Sequence, residues 1–120
     1  MLFYQCKDTG GLFLTDSAAE CCAEHLELLV PNTSDGAKEK HVPMIAAHGN
    51  SVTVTVSSAE HPMLPANYIT CIVLETTSGF QKKDLRPGDR PVAEFLLAAG
   101  EYAVAAYEYC NLHGLWKEEA

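Results

Sequence analysis

The sequence predicts an all-β fold, an antiparallel β-sandwich with a small N-terminal appendage. Val52, Val54 and Val56 alternate with Thr53, Thr55 and Ser57, the period of a half-buried strand carrying β-branched residues on both faces. Tyr68 to Thr76 is a second strong strand candidate. Turn signals separate several such short runs, and that spacing suggests an antiparallel sandwich.

Residues 1 to 35 differ from the rest. Their apolar residues are irregularly placed, and Gly10-Gly11 breaks the segment early. Taken alone, Asp16 to Val30 reads as a helix, with Asp16 as its cap and Ser17-Ala18-Ala19-Glu20 favouring the first turn. The adjacent pair Cys21-Cys22 permits another reading, in which these cysteines and Cys6 are the remains of a small metal knot. Asn32-Thr33-Ser34-Asp35-Gly36 then reads as a polar, turn-rich linker to a domain spanning residues 36 to 120.

Within that domain Val42 to Ala47 is short and apolar, and His48-Gly49-Asn50 is a turn. The Val52 strand follows. After the Tyr68 strand, Thr77-Ser78-Gly79 turns the chain and Phe80 to Leu85 returns it. Arg86-Pro87-Gly88-Asp89-Arg90-Pro91 is a loop, and Val92 to Ala98 forms another strand. Glu101 to Tyr109 is open between two states: its alanines favour helix, whereas Tyr102 and Val104 tolerate strand. Cys71, mid-strand among apolar neighbours, reads as a small core residue.

Composition narrows the function. At 120 residues and 48% hydrophobic, the chain can bury a real core. A formal charge of -8 argues against nucleic acid, which favours a basic face, and against an anionic membrane surface. No apolar run approaches the roughly 20 residues of a membrane span. The N-terminus lacks a basic stretch followed by an apolar one, so the cytoplasm is the expected compartment. Five cysteines are an odd number, and in a reducing compartment metal ligation or burial is a better default for them than a disulfide framework.

The chemistry concentrates near the end, in Cys110-Asn111-Leu112-His113-Gly114-Leu115-Trp116. A thiolate and an imidazole three residues apart can reach one ion from a tight turn. Sulfur and imidazole nitrogen together suit iron, copper or zinc far better than magnesium or calcium. His41, in Glu39-Lys40-His41-Val42-Pro43, and His61, in His61-Pro62-Met63, are the other pieces that the fold is expected to bring to the same open site.

These motifs, with Pro87-Gly88-Asp89 and Tyr109 to Lys117, resemble the desulfoferrodoxin and neelaredoxin family, the superoxide reductases, in order and spacing over residues 36 to 117. The resemblance implies an immunoglobulin-like sandwich bearing one mononuclear non-haem iron. By motif, His41, His61 and His113 are then equatorial ligands and Cys110 the axial one. Glu39 and Lys40 lie over the open face: Lys40 counters the repulsion of superoxide, with protonation assistance as its second possible role, and Glu39 ligates the ferric product state. The resemblance also implies a small donor protein such as rubredoxin and a homodimer or higher oligomer. The chain departs from the pattern where the fourth family histidine falls, since Asn67 occupies that position. Asn67 coordinates, or water fills the gap, or the site has three histidines. His48, in its turn, is no substitute. Should Asn67 impair catalysis, the alternative is a metal-binding or redox-sensing protein of the same fold.

The N-terminal segment resembles the family's small rubredoxin-like iron module more weakly. Thr9 stands where that pattern has its second cysteine, so a second iron is expected to be absent. His25 could complete a Cys3His zinc site with Cys6, Cys21 and Cys22.

Overall fold

The computed structural model describes residues 1–17, 24–34, 36, 38–57 and 60–120. The chain forms two compact units, Met1–Val30 and Pro31–Ala120.

In the first unit, β1 (Leu2–Cys6) lies between β2 (Leu12–Thr15) and β3 (Leu26–Leu29), antiparallel to both. The helix expected over Asp16 to Val30 is therefore wrong at its C-terminal end. Leu26 to Leu29 pair with Cys6 to Phe3, and a full ladder of inter-strand bonds outweighs the few tenths of a kcal/mol per residue of helix propensity. The cysteine pair Cys21-Cys22 lies outside the described residues. At the end of β1 the chain turns tightly. The Gly10 N–H donates to the Cys6 carbonyl at 2.8 Å, and the Cys6 N–H donates to the Gly11 carbonyl at 2.8 Å.

The second unit is a two-layer antiparallel sandwich. One sheet has the order β10 (Gly114–Glu119), β9 (Ala103–Cys110), β6 (Ile69–Thr76), β7 (Gly79–Asp84). The other has the order β4 (Met44–His48), β5 (Ser51–Thr55), β8 (Val92–Leu96). A single helical turn, α1 (Lys38–His41), precedes β4. Val52 and Val54 of β5, with Ala93 and Phe95 of β8, pack against Ile72 and Leu74 of β6 and against Ala106 and Cys110 of β9. In β5 and β8 this is the predicted alternation at work, since every second residue of those strands enters the core.

The segment that was ambiguous from sequence, Glu101 to Tyr109, is strand from Ala103 onward. It pairs with β6 on one side and β10 on the other, and Ala105 and Ala106 are fully buried there. The strand β10 was not anticipated. It forms because a three-residue loop, Asn111 to His113, folds the chain back so that Gly114 pairs with Cys110. Gly114 supplies the positive φ of 81° that closes such loops, and a Cβ there would lie 2.6 Å from the Ser34 Oγ.

The segment read as a linker is tied to β10. The Asn32 N–H donates to the Leu115 carbonyl, and the Asn32 side chain bonds both to the Lys117 N–H (2.9 Å) and to the Lys117 carbonyl (3.2 Å).

Candidate metal centre

Antiparallel pairing puts the start of β4, the end of β5 and the starts of β6 and β10 at the same end of the sandwich as the end of β9. Each predicted ligand sits on a connection at that end. His41 closes α1 ahead of β4, and His61 lies between β5 and β6. Cys110 ends β9, and His113 ends the β9–β10 loop.

Their donor atoms converge. One donor each from His41, His61, Cys110 and His113 all lie within 4.8 Å of one another. The His41 ring centroid is 4.6 Å from that of His61 and 4.7 Å from that of His113, both edge-on. His41 stacks on Trp116 at 4.9 Å, with 14° between the planes. Three side chains of the group are buried, and His113 is partly so.

The electrostatics suit a cation. Burial, reinforced by the neighbouring His61 and His113 and by the Lys40 charge, pushes His41 down to about 4. Burial lowers His61 as well. Both rings are neutral at pH 7, the form in which imidazole binds a metal. The His61 Nδ1 is 2.6 Å from the Pro62 carbonyl, a contact that holds the proton on Nδ1 and leaves Nε2 as the donor. The His41 Nδ1 is buried without a hydrogen-bond partner among the described residues. Burial raises the Cys110 thiol, and the backbone N–H groups of Leu112 and His113 oppose that rise. A largely buried set of three imidazoles and a thiol, with the His41 Nδ1 left without a partner among the described residues, fits a non-haem iron ion in donor type and number.

Glu39 and Lys40 share α1 with His41 and are exposed. Lys40 acts electrostatically on both His41 and His61. The Ser57 hydroxyl donates to the Glu39 carbonyl at 2.8 Å, tying the turn to the end of β5. Asn67 is close by: its Oδ1 accepts from the Cys110 Sγ at 3.5 Å. His48 is exposed at the end of β4 and does not join the group.

Two contributors had escaped the sequence reading. Asn111 clamps the loop before β6, as its Oδ1 accepts from the Tyr68 N–H at 2.9 Å and its Nδ2 approaches the Pro65 carbonyl at 3.5 Å. Gly36 lies against the His41 imidazole, where a Cβ would come within 2.9 Å of its Cδ2. The only available signals were an asparagine inside the Cys-x-x-His loop and a glycine in a polar stretch, and neither is specific.

In the first unit, the Thr9 hydroxyl and the backbone N–H groups of Thr9 and Asp8 hydrogen-bond to the Cys6 sulfur and lower its thiol. His25 sits 3.4 Å from Asp8 and 3.6 Å from Glu24.

The fold and site define a β-sandwich metalloprotein with an imidazole–thiolate centre at one end. Comparison with known proteins makes this specific. The desulfoferrodoxin family model matches residues 33–119. Desulfoferrodoxin from Nitratidesulfovibrio vulgaris is 51% identical over 100 residues, covering 83% of this chain and 78% of that one. Desulfoferrodoxin from Syntrophotalea carbinolica is 42% identical over 120 residues, covering 97% and 94%. Among solved structures, the superoxide reductase from Treponema pallidum superposes with a TM-score of 0.81 at 37% identity, covering 98% of both chains. The superoxide reductase (1Fe-SOR) from Giardia intestinalis matches with a TM-score of 0.58 at 32% identity, covering 69% of this chain and 98% of that one. The chain belongs to the desulfoferrodoxin family.

Proposed function

We propose that this protein is a superoxide reductase whose single mononuclear iron is held by His41, His61, His113 and Cys110. The observation that carries the reading is the convergence of these four donors, from three connections at one end of the sandwich, within 4.8 Å. When bound, a ferrous ion there supplies one electron to superoxide. With two protons, the product is hydrogen peroxide.

The chain's own residues do the rest. A protein of charge -8 repels an anion at long range, and Lys40 offsets this at the mouth of the site. Lys40 is also a proton source at that mouth, and Glu39 is the carboxylate available to the oxidised ion between turnovers. Burial of His41 and His61 keeps their lone pairs free of protons. Each cycle consumes one electron, so a small donor protein such as rubredoxin completes it, and the chain works as a homodimer or larger assembly.

The unit Met1–Val30 is a degenerate desulforedoxin-like module without iron. Thr9 stands where that module's pattern has its second thiolate. One observation favours the second reading, a metal-binding or redox-sensing protein: Asn67 offers its amide where an imidazole would complete the set. Stopped-flow mixing of the ferrous protein with superoxide decides between them. Oxidation within milliseconds supports the reductase, and its absence with iron bound supports the sensor.

A further inference from the structure

Asn67 is fixed more firmly than a loop residue need be. Its N–H donates to the Leu64 carbonyl at 2.9 Å and its carbonyl accepts from the Leu64 N–H at 3.0 Å, closing the turn on itself. The next residue, Tyr68, is held by Asn111 from the Cys110 loop, through its side chain at 2.9 Å and its backbone N–H at 3.2 Å. The Asn67 carboxamide and the Cys110 sulfur are thus mounted on one bonded frame, and they meet at 3.5 Å.

With a thiol, the S–H donates and Oδ1 accepts. A metal-bound cysteine is a thiolate and can only accept. Keeping Oδ1 there would set two acceptors against each other. Turning the amide by half a rotation exchanges oxygen and nitrogen within nearly the same envelope. Nδ2 makes no hydrogen bond among the described residues, so the exchange breaks none there.

We propose that in the metal-bound protein Asn67 is a positioning residue, whose Nδ2–H donates to the Cys110 thiolate instead of offering Oδ1 to the ion. It joins the backbone N–H groups of Leu112 and His113 as a third donor to that sulfur. The donor set is then three imidazoles and one thiolate. A neutral amide oxygen is a poor match for an ion selected by nitrogen and sulfur, whereas an N–H···S⁻ bond is charge-assisted. Such a bond draws charge from the thiolate and weakens its donation to the ion.

The inference rests on the metal centre proposed above, but its test needs no turnover. The full chain, labelled with nitrogen-15 and carbon-13 and loaded with cadmium-113, is examined by NMR for coupling between the metal and protein groups through hydrogen bonds to sulfur. The expected result is coupling to the Leu112 and His113 amide protons and to one Asn67 Nδ2 proton. Asn67→Leu should lose the third coupling and keep the other two. In the cobalt-loaded Asn67→Leu protein, the thiolate charge-transfer band should move to lower energy while the ligand-field intensities keep their wild-type coordination number. Coupling of cadmium to the Asn67 side-chain carbonyl carbon, or no coupling to Asn67 at all, overturns the inference. A cadmium shift outside the thiolate range would sink the metal centre and this inference with it. Failure to react with superoxide, with the Nδ2 coupling present, would sink only the reductase reading.

Discussion

Replacing Gly36 by alanine tests whether the polar stretch before α1 is a spacer or part of the site. A Cβ at this position would lie 2.9 Å from the His41 Cδ2, 3.0 Å from its Nε2 and 3.3 Å from the Trp116 Cζ2, at a φ of 154°. The imidazole cannot retreat, because it is stacked on Trp116 and flanked by His61 and His113. Overpacking of this kind costs about 1–3 kcal/mol, and the unfavourable backbone adds roughly 1 kcal/mol. A total near 2–4 kcal/mol lowers the melting temperature by roughly 6–15 °C for a chain of this size. Displacing one ligand should also weaken metal binding about 10- to 100-fold, the usual cost of disturbing a ligand's supporting contacts. The assay is a cobalt titration and a thermal melt of Gly36→Ala beside Gly49→Ala. Gly49 has a φ of 59° with nothing within 4 Å of a Cβ, so it isolates backbone strain. If the two variants bind cobalt with equal affinity, Gly36 has no part in placing His41.

Three further outcomes are expected. Glu108 is fully buried, its two oxygens lack a partner among the described residues, and burial pushes its carboxyl well above the usual range. Glu108→Leu should therefore raise the stability of the metal-free protein by about 1–3 kcal/mol in urea titration, and a lower midpoint would contradict that account. Burial, with the Glu75 carboxylate accepting the phenol proton at 2.9 Å, pushes Tyr107 up to about 12. Above pH 10 the unfolded chain loses this proton while the folded chain keeps it, so Tyr107 favours folding fully below pH 10 and less as pH rises toward 12. Ultraviolet titration should show one tyrosine ionising last, absent in Tyr107→Phe, and identical titration curves would refute this. Asn111→Ala removes the acceptor of the Tyr68 N–H and should cost about 1–2 kcal/mol, with roughly tenfold weaker cobalt binding. Unchanged affinity would show that the clamp does not position the site.

The ligands were legible because their chemistry is local. A Cys-x-x-His loop reads as a chelating turn wherever it lies, and His41 and His61 needed only to be brought to it. What surrounds them was not legible, because it depends on pairings between residues distant in sequence. Gly36 looked like linker until Asn32 was seen bonded to Leu115 and Lys117, which carries the chain past His41. Leu26 to Leu29 looked helical because nothing in their own spacing announces β1 as a partner. The alternation of Val52 to Ser57 succeeded because a half-buried strand writes its two environments directly into the sequence. The Asn67 substitution was visible, but its contact with the Cys110 sulfur was not, since that depends on the Leu64–Asn67 turn and on Asn111.

Strand register explains why the centre can be built on loops and still be well defined. Cys110 faces the core with Ala106, and a one-residue slip of β9 would turn the sulfur to the opposite face. On β10 the register is set by the short loop closed at Gly114. On β6 it passes through an irregularity between Ile69 and Cys71, which lets both Ile69 and Ile72 point inward. That irregularity lies directly after the Asn67 turn, which brings the Asn67 Oδ1 to 3.5 Å from the Cys110 sulfur. Substituting Thr70, whose hydroxyl donates to the Tyr109 carbonyl at 3.2 Å beside this irregularity, should therefore disturb the Asn67 contact before it disturbs the core. In Thr70→Val the cadmium coupling to Asn67 should weaken while the melting temperature falls by only about 2–6 °C, corresponding to the loss of one partly buried hydrogen bond. A large drop in melting temperature with the coupling intact would show that register and site are set independently.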